Sequence, residues 1–429
     1  MDLTVVATGS RGDVEPYLAL GRALVAAGHR VSFVTTSDFV NLVARCGLGV
    51  VEIPISVRDR LADPDVRRDL QQRGPIVAFR TLATLARDSA QLAAEVAKEA
   101  AAGSDVVVAG LGGHQPALAA ARALGLPLVR AFNVPLTPTA AYPGALFPNW
   151  PAGPGGLLNR VSQVLSRRVV WTANRQSLRG WTDPFELSRY PWLLLYGISP
   201  SLLPQPADWP AGIVQTGFWF NPPPEGWRPP EKLLAFFDEG PAPVYIGFGS
   251  MTDEAPEQTI GLVLDAVDMS GVRAVVSSGW AGLGATDLPD TVQLVGDVPH
   301  EWLFARTSTV VHHGGAGTTA AGLRAGVPSI IVPFHGDQPF WGRVIHERGL
   351  GPRPLPRPRL TAVALAEALR NARNLGCVRP QPESVRGSDP RTVSAKQCTP
   401  SSARFHTATD RCGRGRHGWD DAGHTLDQR

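Results

Sequence analysis

The stretch Val310-Val311-His312-His313-Gly314-Gly315-Ala316-Gly317-Thr318-Thr319 sets three glycines in four positions between an apolar strand and a helical segment, Ala320 to Ala325. Without side chains in the way, backbone N–H groups can close on an anion, and a helix N-terminus adds partial positive charge. The stretch therefore reads as a phosphate cradle. It has neither the G-x-G-x-x-G spacing of dinucleotide folds nor the G-x-x-x-x-G-K-[ST] of P-loop NTPases, so redox-cofactor and ATPase readings have no motif. A plain tight turn is the structural alternative, and His313 before it and Thr318 after it favour the cradle.

A second candidate lies near the N-terminus, in Thr8-Gly9-Ser10-Arg11-Gly12-Asp13-Val14-Glu15-Pro16. A carboxylate on a strand-to-helix turn, at the C-terminal edge of a parallel sheet, points into the crevice where such folds bind ligands. Asp13 can act there, or it can serve as an N-cap for the helix that follows. His114, which follows two glycines, can orient a ligand or assist Asp13, although a lone histidine is more often structural. Asp63-Pro64-Asp65 spells a D-x-D metal motif but sits in a charged, proline-containing segment, so it reads as solvated loop.

These residues need scaffolds, and the sequence supplies two. Leu3 to Ala7 is an apolar strand, Gly9 to Asp13 turns, Tyr17 to Ala27 has helical composition, Gly28 stops it, and Val31 to Val34 returns as a strand. Asp105 to Ala109, the helical Pro116 to Leu124 and Leu128-Val129 repeat the alternation, which predicts a parallel doubly wound sheet. Aromatics crowd between Phe132 and Trp192, as a lid or as core. Proline thickens from Pro204 to Pro230 and marks a linker. A second set opens at Pro243 to Ser250 and continues through Val272 to Ser277, Val292 to Val295, Thr309 to His312 and Ser329 to Val332. The expected fold is α/β, with two tandem Rossmann-like domains facing a central cleft: residues 1–205, a linker at 206–235, and 236–375.

Composition agrees with a globular chain: 429 residues, 43% hydrophobic and 18% charged. Residues 376–429 hold nine Lys/Arg against six Asp/Glu, which accounts for the net +3 and leaves the body neutral, without a basic platform for nucleic acid. Cys46, Cys377, Cys398 and Cys412 share no metal-ligand spacing. No signal peptide or spanning helix is read, so a cytoplasmic enzyme is expected; the oligomeric state is left open.

His313-Gly-Gly-Ala-Gly-Thr318, then Gly326-Val327-Pro328 and Pro333-Phe334-His335-Gly336-Asp337-Gln338, resembles bacterial glycosyltransferase family 1. The likeness is to natural-product glycosyltransferases of glycopeptide and macrolide type and to sterol glucosyltransferases, over roughly residues 1–370. It implies the GT-B fold and inverting, metal-independent transfer from a UDP- or dTDP-sugar to a small, mostly apolar acceptor. By the same resemblance Asp13 is the general base, His313 contacts a phosphate oxygen, Thr318 caps the other phosphate, and Gly314, Gly315 and Gly317 form the cradle. Asp337 and Gln338 match the pair that holds sugar hydroxyls. Ser250 lies beside the phosphates, Val298 and His300 border the pyrimidine, and Trp280 is near the base. Ser10 and His114 are the acceptor-side candidates. No metal and no cofactor beyond the nucleotide-sugar co-substrate are expected. A same-fold epimerase and a non-catalytic helper protein are the competing readings.

After about residue 375 apolar periodicity stops, and the Arg/Pro/Ser/Gly/Cys mixture reads as disordered. It matches GC-rich coding sequence read out of frame, so residues 376–429 are expected to be a frame-shifted tail that impairs activity.

Overall fold

The computed structural model describes residues 1–71, 75–147, 150, 156–174, 194–224, 226–249, 256–277 and 288–376. All belong to one unit, Met1–Ser388. Of the tail assigned by composition to 376–429, Gly376 is described as the C-cap of the last helix, and 377–429 lie outside the described residues.

The first lobe runs β1 (Asp2–Val6), α1 (Arg11–Ala26), β2 (Arg30–Thr36), α2 (Val40–Arg45), β3 (Gly49–Ile53), α3 (Val57–Ala62), α4 (Pro64–Gln71) and α5 (Pro75–Ala101). It continues with β4 (Val106–Ala109), α6 (His114–Leu124), β5 (Leu128–Phe132), α7 (Leu157–Asn174), β6 (Leu194–Tyr196) and β7 (Ile213–Gln215). The second lobe runs α8 (Glu231–Asp238), β8 (Val244–Gly247), α9 (Pro256–Ser270), β9 (Ala274–Ser277), β10 (Val292–Val295) and α10 (His300–Phe304). It ends with β11 (Thr309–His312), α11 (Ala316–Ala325), β12 (Ser329–Ile331), α12 (Gln338–Glu347) and α13 (Ala362–Leu375).

Both sheets are parallel. Their orders are β3-β2-β1-β4-β5-β6-β7 and β10-β9-β8-β11-β12, so the first five strands of each lobe follow one plan. Helices cover both faces, which explains why the strands read as unbroken apolar runs. Strand order reverses between β1 and β4 in one lobe and between β8 and β11 in the other, and ligands of such sheets bind at that reversal. The loops after these four strands carry Gly9, Gly112-Gly113, Gly249 and Gly314-Gly315. Two tandem Rossmann-like lobes follow from this duplicated plan.

Several boundaries differ from the sequence reading. Helix α1 starts at Arg11, six residues before Tyr17, with Pro16 inside it; the proline's missing donor hid the first turns. Helix α11 starts at Ala316, so Thr318 lies in its first turn instead of before it. Strand β7 pairs with β6 through Ile213–Gln215, carrying the first sheet into the proline-dense stretch read as linker. Asp63 Oδ1 accepts from the N–H groups of Asp65 and Val66 (2.9 and 3.2 Å), starting α4 as a cap would.

One apolar core spans the seam between lobes. Phe132, Leu136, Tyr196 and Leu202 from the first lobe pack with Leu323, Ile331, Phe340, Trp341 and Ile345 from the second. Trp341 is fully buried there. The glycine pair after β4 serves a different closeness: a Cβ on Gly112 would lie 1.8 Å from the Thr8 carbonyl oxygen, and one on Gly113 2.2 Å from that of Val6. Only glycine lets this loop lie against the end of β1, which brings the start of α6 beside the start of α1. Gly113→Ala should therefore cost about 1–3 kcal/mol or more in denaturant unfolding. Gly261→Ala on α9, where no atom lies within 4 Å of the new Cβ, should be neutral or mildly stabilising.

Candidate functional site

A cleft of about 1800 Å³ collects the loops of both lobes. From the first lobe it takes Thr8 to Asp13 and His114; from the second it takes Gly249, Val298, His300, His313, Gly315, Gly317, Thr318, Asp337 and Gln338. Gly314 lies in the same turn. Ser250 and Trp280 lie outside the described residues. The sequence candidates that are described thus converge on one cavity.

On the second lobe, His312 ends β11 fully buried, and its Nδ1 accepts the Gly314 N–H at 3.1 Å. Burial, with His313 and His300 nearby, drives its pKa well below the usual range, so it is neutral. Gly314 turns the chain at φ +92°, in the left-handed region open to glycine. The His313 ring fills the space between two glycines, since a Cβ on Gly249 would meet its Cε1 at 3.0 Å and one on Gly315 its Nε2 at 2.4 Å. His313 Nδ1 is buried without a hydrogen-bond partner among the described residues, and burial lowers its pKa to about 4. Gly315 caps α11 with no side-chain bond, and no acidic residue stands in the helix's first turn. The result is a helix N-terminus with bare N–H groups and a neutral imidazole, which can receive an anion.

Asp337 precedes α12. Burial raises its carboxyl to about 6; the Trp341 Nε1–H, donating at 2.8 Å, opposes the rise and the Asp13 charge adds to it. Gln338 Oε1 accepts the Phe334 and His335 N–H groups at 2.7 and 3.2 Å, so its carbonyl oxygen serves the loop. His300 stacks on Phe304 at 4.5 Å and meets Tyr245 edge-on at 5.8 Å. Burial holds it near pKa 4.

On the first lobe, the N-cap alternative for Asp13 does not hold. Ser10 is the N-cap, and Asp13, three residues on, accepts the Ser10 N–H (2.9 Å) and hydroxyl (2.8 Å) on Oδ2. The Ser10 hydroxyl is thereby committed to Asp13. Burial raises the Asp13 pKa and the two Ser10 bonds lower it, with a net rise. His114 opens α6, buried and edge-on to Phe132 at 5.8 Å. Burial, helped by Arg130 and Arg122, brings its pKa to about 3, so it is neutral.

Three features had no signal in the sequence. His312 fixes the turn through a bond visible only in three dimensions. Trp341 ties Asp337 to the seam core. Arg11 pairs with Glu15 at 3.1 Å and crosses the cleft to Asp297 at 2.7 Å, a partner 286 residues away. Burial alone would lower the Arg11 pKa, and the two carboxylates more than offset it. Half-exposed pairs of this kind contribute about 0–1 kcal/mol, so this one aligns the lobes more than it stabilises them.

Residues 3–130 match the glycosyltransferase family 28 N-terminal domain, and residues 264–389 match the C-terminal domain of erythromycin biosynthesis protein CIII-like proteins. Sterol 3-beta-glucosyltransferase UGT80B1 of Arabidopsis thaliana is 33% identical over 390 residues, 86% of this chain and 62% of that protein. Both lobes are thus similar to glycosyltransferases. The sterol 3-beta-glucosyltransferase of Candida albicans is 34% identical over 402 residues, 86% of this chain and 25% of that protein. The chain therefore spans less than two thirds of the plant relative and a quarter of the fungal one. Among solved GT-B structures, the glycotransferase of kitacinnamycin superposes with TM-score 0.59 at 19% identity, covering 87% of this chain and 90% of that one. The calicheamicin glycosyltransferase CalG4 gives 0.58 at 21%, covering 86% and 89%. Among the described residues no helix is long and apolar enough to cross a membrane.

The Trp341 bond makes a measurable claim. Trp341→Phe removes a donor to the ionised Asp337 and should raise that carboxyl above about 6, whereas Asp13→Asn removes a like charge and should lower it. Carboxyl NMR titration reads both, and equal midpoints in the three proteins would reject the coupling.

Proposed function

We propose that this chain transfers a hexosyl unit from a UDP- or dTDP-sugar to a hydroxyl of a sterol-like acceptor, inverting the anomeric centre. The observation that carries the reading is the pairing, in one cleft, of the half-buried Asp13 carboxylate with the uncapped N-terminus of α11. Asp13 Oδ2 is held by Ser10, and Oδ1 takes no hydrogen bond among the described residues. A carboxylate fixed in this way, with its pKa raised toward the working pH, suits general-base work.

In this scheme Asp13 removes the acceptor hydroxyl's proton as that oxygen bonds to the anomeric carbon, and the bond from that carbon to the diphosphate oxygen breaks. The diphosphate leaves carrying the electron pair. The N–H groups of Gly315 to Gly317, the neutral His313, Thr318 and the α11 N-terminus stabilise the charge that builds there, while the Gly314 N–H stays committed to His312. Asp337 binds sugar hydroxyls, and Val298 with His300 borders the base; Ser250 and Trp280, outside the described residues, are assigned to the donor by the family resemblance alone. No metal is assigned a step. The acceptor class rests on the named sterol 3-beta-glucosyltransferase relatives and on the apolar first-lobe wall formed by Ile53, Ile55, Leu61, Leu85 and Ala93. The structure of VinC, a complex with dTDP, supports a pyrimidine diphosphate donor.

The test is acceptor-dependent nucleotide release from UDP- and dTDP-sugars, with product configuration read by NMR; a retained anomer would overturn inversion, and loss of turnover in chelator would overturn metal independence. Asp13→Asn should cut turnover by about 10²–10⁴-fold with little change in nucleotide affinity. Wild-type turnover should fall as pH drops, because a base whose pKa is raised is protonated earlier on acidification. His313→Ala should weaken nucleotide binding about 10-fold or more, the usual worth of a hydrogen bond to a charged group, and an unchanged dissociation constant would reject the contact.

A further inference from the structure

Helix α7 is built inside out. Its inward face is polar: Ser162 and Gln163 are 0% exposed and Ser166 is 1% exposed. Ser162 Oγ accepts the Gly144 N–H at 2.9 Å, Gln163 Nε2 donates to the Tyr142 and Pro143 carbonyls at 3.3 Å, and Asn159 Nδ2 donates to the Ala140 carbonyl at 2.8 Å. Its outward face is aliphatic, with Leu157 67%, Val161 41%, Leu158 37% and Val164 37% exposed. At 3.6 residues per turn, positions 157, 161, 164 and 168 fall within about 60° of one another, and position 158 lies at the stripe's edge. A surface helix normally shows the opposite arrangement, so this stripe needs an apolar neighbour.

Charge identifies the neighbour. The helix carries no acidic residue, and of its three arginines Arg167 is already engaged by a neighbour. Arg168 sits on the exposed stripe itself, and Arg160 at its flank pairs with Asp208 while its side chain stays 54% exposed. A second copy of the chain is a poor occupant, because a stripe about 17 Å long is far smaller than the roughly 800 Å² per partner that stable pairs bury. Shallow insertion into a lipid surface needs only such a stripe, with arginines meeting anionic headgroups. The location also fits, since α7 packs on α5, and α5 supplies Leu85, Ser89, Ala90 and Ala93 to the cleft wall.

We infer that the outward face of α7 docks the first lobe onto an anionic lipid bilayer. The docking argument stands on α7 alone; its use for reaching a membrane-dissolved acceptor rests on the proposed reaction. The full chain should co-sediment with vesicles of phosphatidylcholine and phosphatidylglycerol, and less with phosphatidylcholine alone. The triple variant Leu157→Ser, Val161→Ser, Val164→Ser should lose about 10-fold or more of that binding. It should keep its melting temperature and its turnover of acceptor dispersed in detergent, yet turn over vesicle-borne acceptor more slowly. Arg168→Gln should reduce binding to the mixed vesicles and abolish their advantage over the neutral ones. Three results would overturn the proposal: no wild-type vesicle binding, equal binding by the triple variant, or a wild-type dimer by light scattering that the variant dissolves. Vesicle binding without transfer to either acceptor form would leave the docking in place and remove the proposed reaction.

Discussion

Trp341 holds the cleft together from behind. Its ring is fully buried among Phe132, Tyr196, Ile331 and Phe340, the apolar core that both lobes share, and its Nε1–H donates to Asp337 at the cleft wall. A single side chain therefore links seam packing to the position and charge of a cleft carboxylate. The indole N–H needs a partner once buried, and Asp337 supplies it. In return the bond restrains the rise that burial imposes on the Asp337 pKa. Any change that loosens the seam is felt at this carboxylate. The Arg11–Asp297 pair adds a second, weaker tie at the cleft itself.

The histidines on the second lobe's side follow from the same dryness. His300, His312 and His313 are pushed to low pKa by burial before any neighbouring charge is counted. Neutral imidazoles offer one N–H each, so the turn after β11 presents dipoles where a lysine cluster would present charge. His312 uses its Nδ1 as an acceptor for Gly314 and so holds the backbone that His313 leans on. Such fixed dipoles need no rearrangement when negative charge develops, which is where preorganised sites gain most.

Much of this was legible in the sequence because glycine and apolar runs report on backbone geometry directly. The two strand-glycine-helix openings at Gly9 and Gly314 gave both lobes and the two sides of the cleft. What stayed hidden depended on pairing across distance or on the fine placement of helix starts. Pro16 concealed the first turns of α1, so the cap alternative fell on Asp13 when Ser10 is the cap and Asp13 its reciprocal partner. Arg11 and Asp297 carry no mark of each other at 286 residues' separation. Serine and glutamine in α7 look solvent-facing until the Tyr142 to Gly144 backbone they bind is seen.

The two lobes repeat one topology, and the cleft takes a helix N-terminus from a strand at each reversal, α1 after β1 and α11 after β11. Those termini are not equivalent. In α1 the carboxylate of Asp13 folds back onto the N-cap, satisfying the Ser10 N–H and placing negative charge against the helix's positive end. That terminus is already answered from within and would repel a second anion. In α11 the cap is Gly315, the first turn carries no acid, and His313 stands beside it uncharged. Of the two, this terminus is the one open to an anion. In the proposed reaction this asymmetry gives a duplicated fold a site with direction: a base on one wall, an anion seat on the other, and the acceptor's apolar bulk behind the base. It is written in two short stretches, Ser10 to Asp13 and His313 to Thr318.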